Sequence, residues 1–161
     1  MKSMPTVQDV MTKDVVTIEA DKTVFEAARL MTDRGIGDLV VMEGTTPVGI
    51  VTERDFVRRV VAQKKSPDCK VSDIMTTPVW VVYYDTPLKE AARKMIARNI
   101  RRMPVLKKKE LVGIITATDF ARHLSKKTFT DEIKEVLGHY SAPDFFDKPE
   151  NPRNLQGPSS K

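Results

Sequence analysis

The sequence predicts an α+β fold in which two β-α-β-β-α units pack sheet to sheet about a pseudo-twofold axis. Three observations carry that expectation. First, Val7-Gln8-Asp9-Val10-Met11-Thr12 returns 64 residues later as Val71-Ser72-Asp73-Ile74-Met75-Thr76. Without a gap, the same offset matches Glu26-Ala27-Ala28-Arg29 to Glu90-Ala91-Ala92-Arg93 and Val48-Gly49-Ile50-Val51-Thr52 to Val112-Gly113-Ile114-Ile115-Thr116. It also matches Asp55-Phe56 to Asp119-Phe120, and self-similarity at a fixed offset marks a duplicated structural unit. Second, each copy alternates short β-branched runs with stretches of helical apolar spacing. Third, one copy is too small to bury an apolar helix face and an apolar sheet face by itself, and pairing the two sheets solves that.

Each unit opens with a short extended run, Val15 to Ile18 in the first copy and Val79 to Val82 in the second. A helix follows, with Val24, Ala27, Ala28 and Met31 on one face, matched by Leu88, Ala91, Ala92 and Met95. Asp21, and Asp85 or Thr86, are the expected caps, and Pro87 suits the first helical turn. Gly35 and Asn99 fall where helices stop in the left-handed conformation. Two strands, Leu39 to Met42 and Val48 to Thr52, are joined by Glu43-Gly44-Thr45-Thr46-Pro47; the second copy turns through Lys107-Lys108-Lys109-Glu110. A second helix starts near Thr52-Glu53-Arg54-Asp55 and again near Thr116-Ala117-Thr118-Asp119. The expected organisation is a unit over 7–62, a linker over 63–70 and a unit over 71–125. A C-terminal helix over 126–140 and a mobile, Pro-bearing tail over 141–161 complete it.

Composition narrows the function classes. Hydrophobic residues at 40% and charged residues at 30% fit an ordinary globular chain. No apolar run approaches the roughly 18 residues of a membrane span, and the start lacks the apolar core of a signal peptide. Cys69 is the one cysteine, which rules out an intrachain disulfide and points to the reducing cytoplasm. A net charge of +5 and a pI near 9.3 favour anionic partners. Two histidines and one cysteine offer no metal-ligand spacing, and neither a Gly-rich phosphate loop nor a nucleophile–His–carboxylate set is recognisable. The expectation is therefore a protein without enzymatic activity and without a required cofactor.

The motifs V-x-D-V/I-M-T, the Glu-Ala-Ala helix and G-I-V/I-T-x-x-D together resemble the CBS domain family over roughly residues 7 to 125, in both copies. The resemblance implies a tandem pair, often called a Bateman module, that commonly dimerises. It implies binding of AMP, ADP, ATP or S-adenosylmethionine as a regulatory ligand in clefts between modules, and regulation of a protein on a separate chain.

By spacing alone, Thr52-x-x-Asp55 and Thr116-x-x-Asp119 read as helix N-caps, with amides free to face phosphate or hydroxyl oxygens. The resemblance adds that both aspartates bind ribose. It also implies that Lys13-Asp14-Val15-Val16, Thr77-Pro78-Val79-Trp80, Ile36 to Leu39 and Ile100 to Pro104 border the slots for the base. Asp14, Val15, Val16, Pro78, Val79, Ile36, Leu39, Ile100, Met103 and Pro104 enter as walls, and for the apolar members core is the plain reading. The copies differ where phosphate would lie. Arg101-Arg102 suits an anion, whereas Gly37-Asp38 repels one unless Arg54, which stands where the second copy has Thr118, offsets it. The two clefts are thus expected to be unequal, the Asp38 cleft being empty or taking a less anionic ligand such as S-adenosylmethionine. Micromolar binding, about −8 kcal/mol, is expected to weaken in Asp119→Ala or Arg102→Ala. Two alternatives stand beside this one. A basic surface with Lys107-Lys108-Lys109 and Lys126-Lys127 fits a nucleic-acid-binding protein, and decayed clefts fit a structural partner-binding module.

Overall fold

The computed structural model describes residues 4–125. The helix and tail expected over 126–161 lie outside them. The first unit contains β1 (Thr17–Glu19), α1 (Val24–Arg34), β2 (Asp38–Glu43), β3 (Thr46–Thr52) and α2, which begins at Glu53–Asp55 and continues with π-type bonding over Phe56–Val61. The second contains β4 (Val82–Tyr83), α3 (Leu88–Arg98), β5 (Arg102–Lys107), β6 (Glu110–Thr116) and α4 (Ala117–Ser125). Each unit has one three-stranded sheet, ordered β1-β2-β3 and β4-β5-β6. In both, the first strand runs parallel to the second and the second antiparallel to the third. The duplication extends to register, since Asp38 faces Thr52 across the first sheet as Arg102 faces Thr116 across the second.

Local chemistry explains the helix limits. Thr23, not Asp21, caps α1: its hydroxyl accepts from the Glu26 amide at 3.1 Å, and the Glu26 carboxylate accepts from the Thr23 amide at 2.8 Å. That reciprocal pair needs a hydroxyl three residues before a carboxylate, a spacing Asp21 lacks. Pro87 takes the equivalent place before α3 and supplies no side-chain bond, so neither Asp85 nor Thr86 caps that helix. Both helices end in the left-handed conformation as expected, at Gly35 (φ 61°) and Asn99 (φ 50°). The extended runs expected from Val15 and Val79 pair only later, at β1 and β4; the residues ahead of β1 line a cleft instead.

The chain exchanges its arms between units. The turn Val7–Asp9 belongs to the second unit's core, where Val7 is fully buried with Leu88, Met103, Ile115 and Phe120. The matching turn Val71–Asp73 belongs to the first, with Val71 and Ile74 packed against Val24, Leu39 and Val51. Backbone bonds fasten both arms. The Val7 amide donates to the Thr86 carbonyl, and Thr12 and Ile114 exchange two bonds of 2.9 Å, as Thr76 and Ile50 do at 2.8 and 3.1 Å. Gly49 and Gly113 make these contacts sterically feasible. A Cβ on Gly49 would sit 2.5 Å from Met75 Sδ and 3.0 Å from the Thr76 carbonyl oxygen; on Gly113 it would sit 2.6 Å from Met11 Sδ and 2.9 Å from the Thr12 carbonyl oxygen. Between the sheets, Val40, Met42 and Ile114 form a separate buried cluster against Val15 and Leu111. Full burial of aliphatic side chains of this size contributes about 1.5–3 kcal/mol each. Because each arm crosses over, the ends of β3 and β6 lie beside the arm preceding the opposite unit, and there the clefts form.

Candidate ligand clefts

Thr52 ends β3 and starts α2. Its amide and hydroxyl donate to Asp55 Oδ2 at 2.8 and 3.1 Å, and the Asp55 amide returns a 3.4 Å bond to the hydroxyl. The Thr-x-x-Asp motif is thus a reciprocal N-cap, as spacing alone predicts. One carboxylate oxygen is consumed by it. The other, Oδ1, lies 3.6 Å from Arg59 Nε, within ion-pair range. The carboxylate borders a cleft of about 350 Å³ lined by Ile50, Thr52, Arg54, Asp55, Thr76, Asn99, Ile100, Arg101 and Arg102. That volume falls within the 300–1,000 Å³ or so of small-molecule sites. Three guanidinium groups against one carboxylate make the cleft favour anions.

The pseudo-symmetric cleft differs in size and charge. It measures about 150 Å³ and is lined by Thr12, Asp14, Val15, Val16, Ile36, Asp38, Val40, Ile114 and Thr116. Asp119 is not among those residues. Its Oδ2 accepts from the Thr116 amide and hydroxyl at 2.9 and 3.1 Å; its Oδ1 accepts from Thr12 Oγ1 at 3.0 Å and from Arg122 at 3.4 Å. With both oxygens engaged and 4% exposure, it faces a separate hollow of about 170 Å³ beside Asp9, Val10, Arg122 and His123. The two aspartates read as equivalent in sequence have unequal surroundings.

Arm exchange also redistributes the other expected residues. Arg101 and Arg102 share a cleft with the first copy's Thr52 and Asp55, not with Thr116 and Asp119. Arg54 stands in that same cleft and does not offset Asp38. Arg102 does, with Nε 3.1 Å from Asp38 Oδ2. The contact is an ion pair without hydrogen-bond alignment, since Arg102 Nε is buried and makes no hydrogen bond. Asp14, Val15, Val16, Ile36 and Ile100 line clefts as walls. Leu39 and Met103 lie in the two cores, 1% and 0% exposed. Pro104 is buried in β5 opposite Ile114. Pro78 and Thr118 are exposed and Val79 is half-buried, and none lines these two clefts. The Gly37 carbonyl accepts from the Glu53 amide at 3.0 Å, which ties the loop to the start of α2.

The sequence reading missed Thr12 and Thr76, one in each cleft. Their signal was a hydroxyl recurring at the end of V-x-D-V/I-M-T, but its meaning depends on the exchanged arm. Among the described residues, no cluster of three or more His, Cys, Asp or Glu side chains could hold a metal ion, and no helix is long and apolar enough to cross a membrane.

Comparison with known proteins agrees with this architecture. The chain is 40% identical over 116 residues to an uncharacterised protein of Methanopyrus kandleri, covering 70% of this chain and 59% of that one. It therefore spans somewhat over half the length of that relative. The CBS domain pair of protein MJ0100, solved in complex with 5-methylthioadenosine and S-adenosyl-L-methionine, superposes with a TM-score of 0.69 at 30% identity, covering 78% of this chain and all of that one. A hexameric CBS-CP12 protein from bloom-forming cyanobacteria superposes equally well, at 35% identity over 81% of this chain and 77% of that one. The CBS domain profile matches residues 7–62 and 71–126, and the chain belongs to the CBS domain family as a tandem pair.

Proposed function

We propose that this protein is a regulatory sensor that binds one adenine nucleotide in the cleft between Asp55 and Arg102. The observation that carries the reading is the composition of that cleft. A carboxylate with one oxygen outside its N-cap suits a ribose diol, Ile50 and Ile100 supply an apolar slot, and Arg54, Arg101 and Arg102 supply an anion-binding rim. AMP, ADP and ATP share that chemistry. S-adenosylmethionine, whose sulfonium is cationic, is the poorer fit here; by charge it suits the acidic cleft at Asp14 and Asp38, which at about 150 Å³ would have to widen to hold it. Support also comes from the related pair that holds two adenosine compounds. Ribose binding is assigned to Asp55. Asp119, with both oxygens engaged, is given a structural part.

Binding regulates only through differential affinity for two arrangements of the protein. A homodimer would supply such arrangements. Val57 and Val61, 63% and 73% exposed one turn apart on α2, offer an apolar face next to the nucleotide cleft. The regulated protein is a separate chain in this reading, the pair itself performs no catalysis, and the cytoplasm is its place of work.

Isothermal titration calorimetry with AMP, ADP, ATP and S-adenosylmethionine tests the proposal. At least one nucleotide is expected to bind with micromolar affinity, about −8 kcal/mol. No heat and no thermal shift from any of the four would refute it.

A further inference from the structure

Asp38 and Arg102 occupy equivalent positions in the two copies, 64 residues apart, and they contact each other. Two equivalent residues meet only near the pseudo-twofold axis. An exact duplication would place like charges face to face at that point; this chain places opposite ones. Each partner also lines a different cleft, Arg102 the nucleotide cleft and Asp38 the smaller acidic one. The ion pair is therefore the wall shared by both sites.

We propose that the Asp38–Arg102 pair couples the two clefts electrostatically, so that a phosphate captured by Arg102 releases Asp38 to hold a cationic ligand in the opposite cleft. The inference rests on the nucleotide-site reading above. Both side chains are about one-third exposed, at 31% and 33%, and Arg102 Nε makes no hydrogen bond. The pair is thus held by charge at short range with no directional bond to break, an arrangement suited to exchange of partners. A phosphate in the nucleotide cleft competes with Asp38 for the same guanidinium. Once Arg102 turns to it, the carboxylates of Asp38 and Asp14 face the small cleft with less compensation, and a positively charged ligand gains there. Coupling of this kind is reciprocal, since each ligand raises the other's affinity by the same factor.

The coupling predicts a response that a simple anion site would not give. Removing Asp38 frees Arg102 in advance, so phosphate-bearing ligands bind more tightly while an uncharged nucleoside does not. Calorimetric titration of AMP, ATP and adenosine into wild type, Asp38→Asn and Asp38→Ser measures this, with thermal unfolding to verify that each variant is folded. We expect about two- to fivefold tighter AMP or ATP in both variants and adenosine unchanged, the scale of a partly exposed ion pair. We also expect S-adenosylmethionine to bind the wild type more tightly when AMP is saturating, and that enhancement to vanish in both variants. Equal AMP, ATP and adenosine affinities across the three proteins would overturn the coupling and leave the nucleotide site standing. Absence of binding by every probe would overturn both.

Discussion

Exchanging Asp55 and Asp119 separately for alanine isolates the part each carboxylate plays. Asp55 keeps Oδ1 outside its N-cap at the border of the large cleft, whereas both oxygens of Asp119 are engaged and it lies beyond the small cleft's lining. A ribose hydroxyl donating to a carboxylate contributes about 1.5–3 kcal/mol, so losing one such bond in Asp55→Ala weakens nucleotide affinity about 10- to 150-fold. Asp119→Ala loses no ligand bond and is expected to leave affinity within about twofold. Stability should rank the other way. Asp119→Ala strands the Thr116 amide and the Thr12 hydroxyl and loosens the exchanged arm, at a cost of about 1–3 kcal/mol. Asp55→Ala removes an N-cap partner and the half-exposed ion pair with Arg59, together about 1 kcal/mol. Calorimetry gives the affinities and urea unfolding the stabilities, so binding and folding are read separately. An Asp55→Ala protein with wild-type affinity, or a folded Asp119→Ala protein that loses as much affinity, would refute the assignment.

Further outcomes follow from packing and charge. Gly113→Ala forces a Cβ to within 2.9 Å of the Thr12 carbonyl oxygen, and urea unfolding should show a loss of about 1–3 kcal/mol; no loss would mean that the arm moves freely. Asn99→Gly relieves a left-handed residue at φ 50° and should raise stability by a few tenths to about 1 kcal/mol, measured the same way. The Glu26 carboxyl is held below its ordinary 4.5, chiefly by the hydrogen bond from the Thr23 backbone and secondarily by nearby Lys22. A carboxyl lowered on folding stabilises the protein above its unfolded value, and that contribution fades as pH falls through the lowered value. Glu26→Gln should therefore flatten the acid limb of stability below about pH 4.5, and an unchanged limb would contradict the cap's role.

Much of the architecture was legible because it rests on local rules. The apolar faces of α1 and α3, the left-handed stops at Gly35 and Asn99 and the N-cap at Thr52-x-x-Asp55 each depend on neighbours a few residues away, and the 64-residue repeat shows that both copies follow the same rules. The first helix cap was misplaced because three polar residues in Asp21-Lys22-Thr23 compete, and only the spacing of Thr23 to Glu26 completes the reciprocal pair. Unpaired starts of the expected first strands likewise escaped the reading, since a β-branched run looks the same whether it pairs in a sheet or borders a cleft.

What the sequence determined by itself is that two copies of one unit exist. Tertiary structure decided which residues of each copy border which cleft. Because the arms cross over, Thr76 and the second copy's arginines meet the first copy's Asp55, and Thr12 reaches Asp119 and occupies its second oxygen. Neither partnership is encoded at short range, because a carboxylate's free lone pairs are set by groups that approach from 107 residues away. Identical motifs acquire different surroundings when long-range packing hydrogen-bonds both oxygens of one carboxylate and leaves the other carboxylate at the border of a cleft.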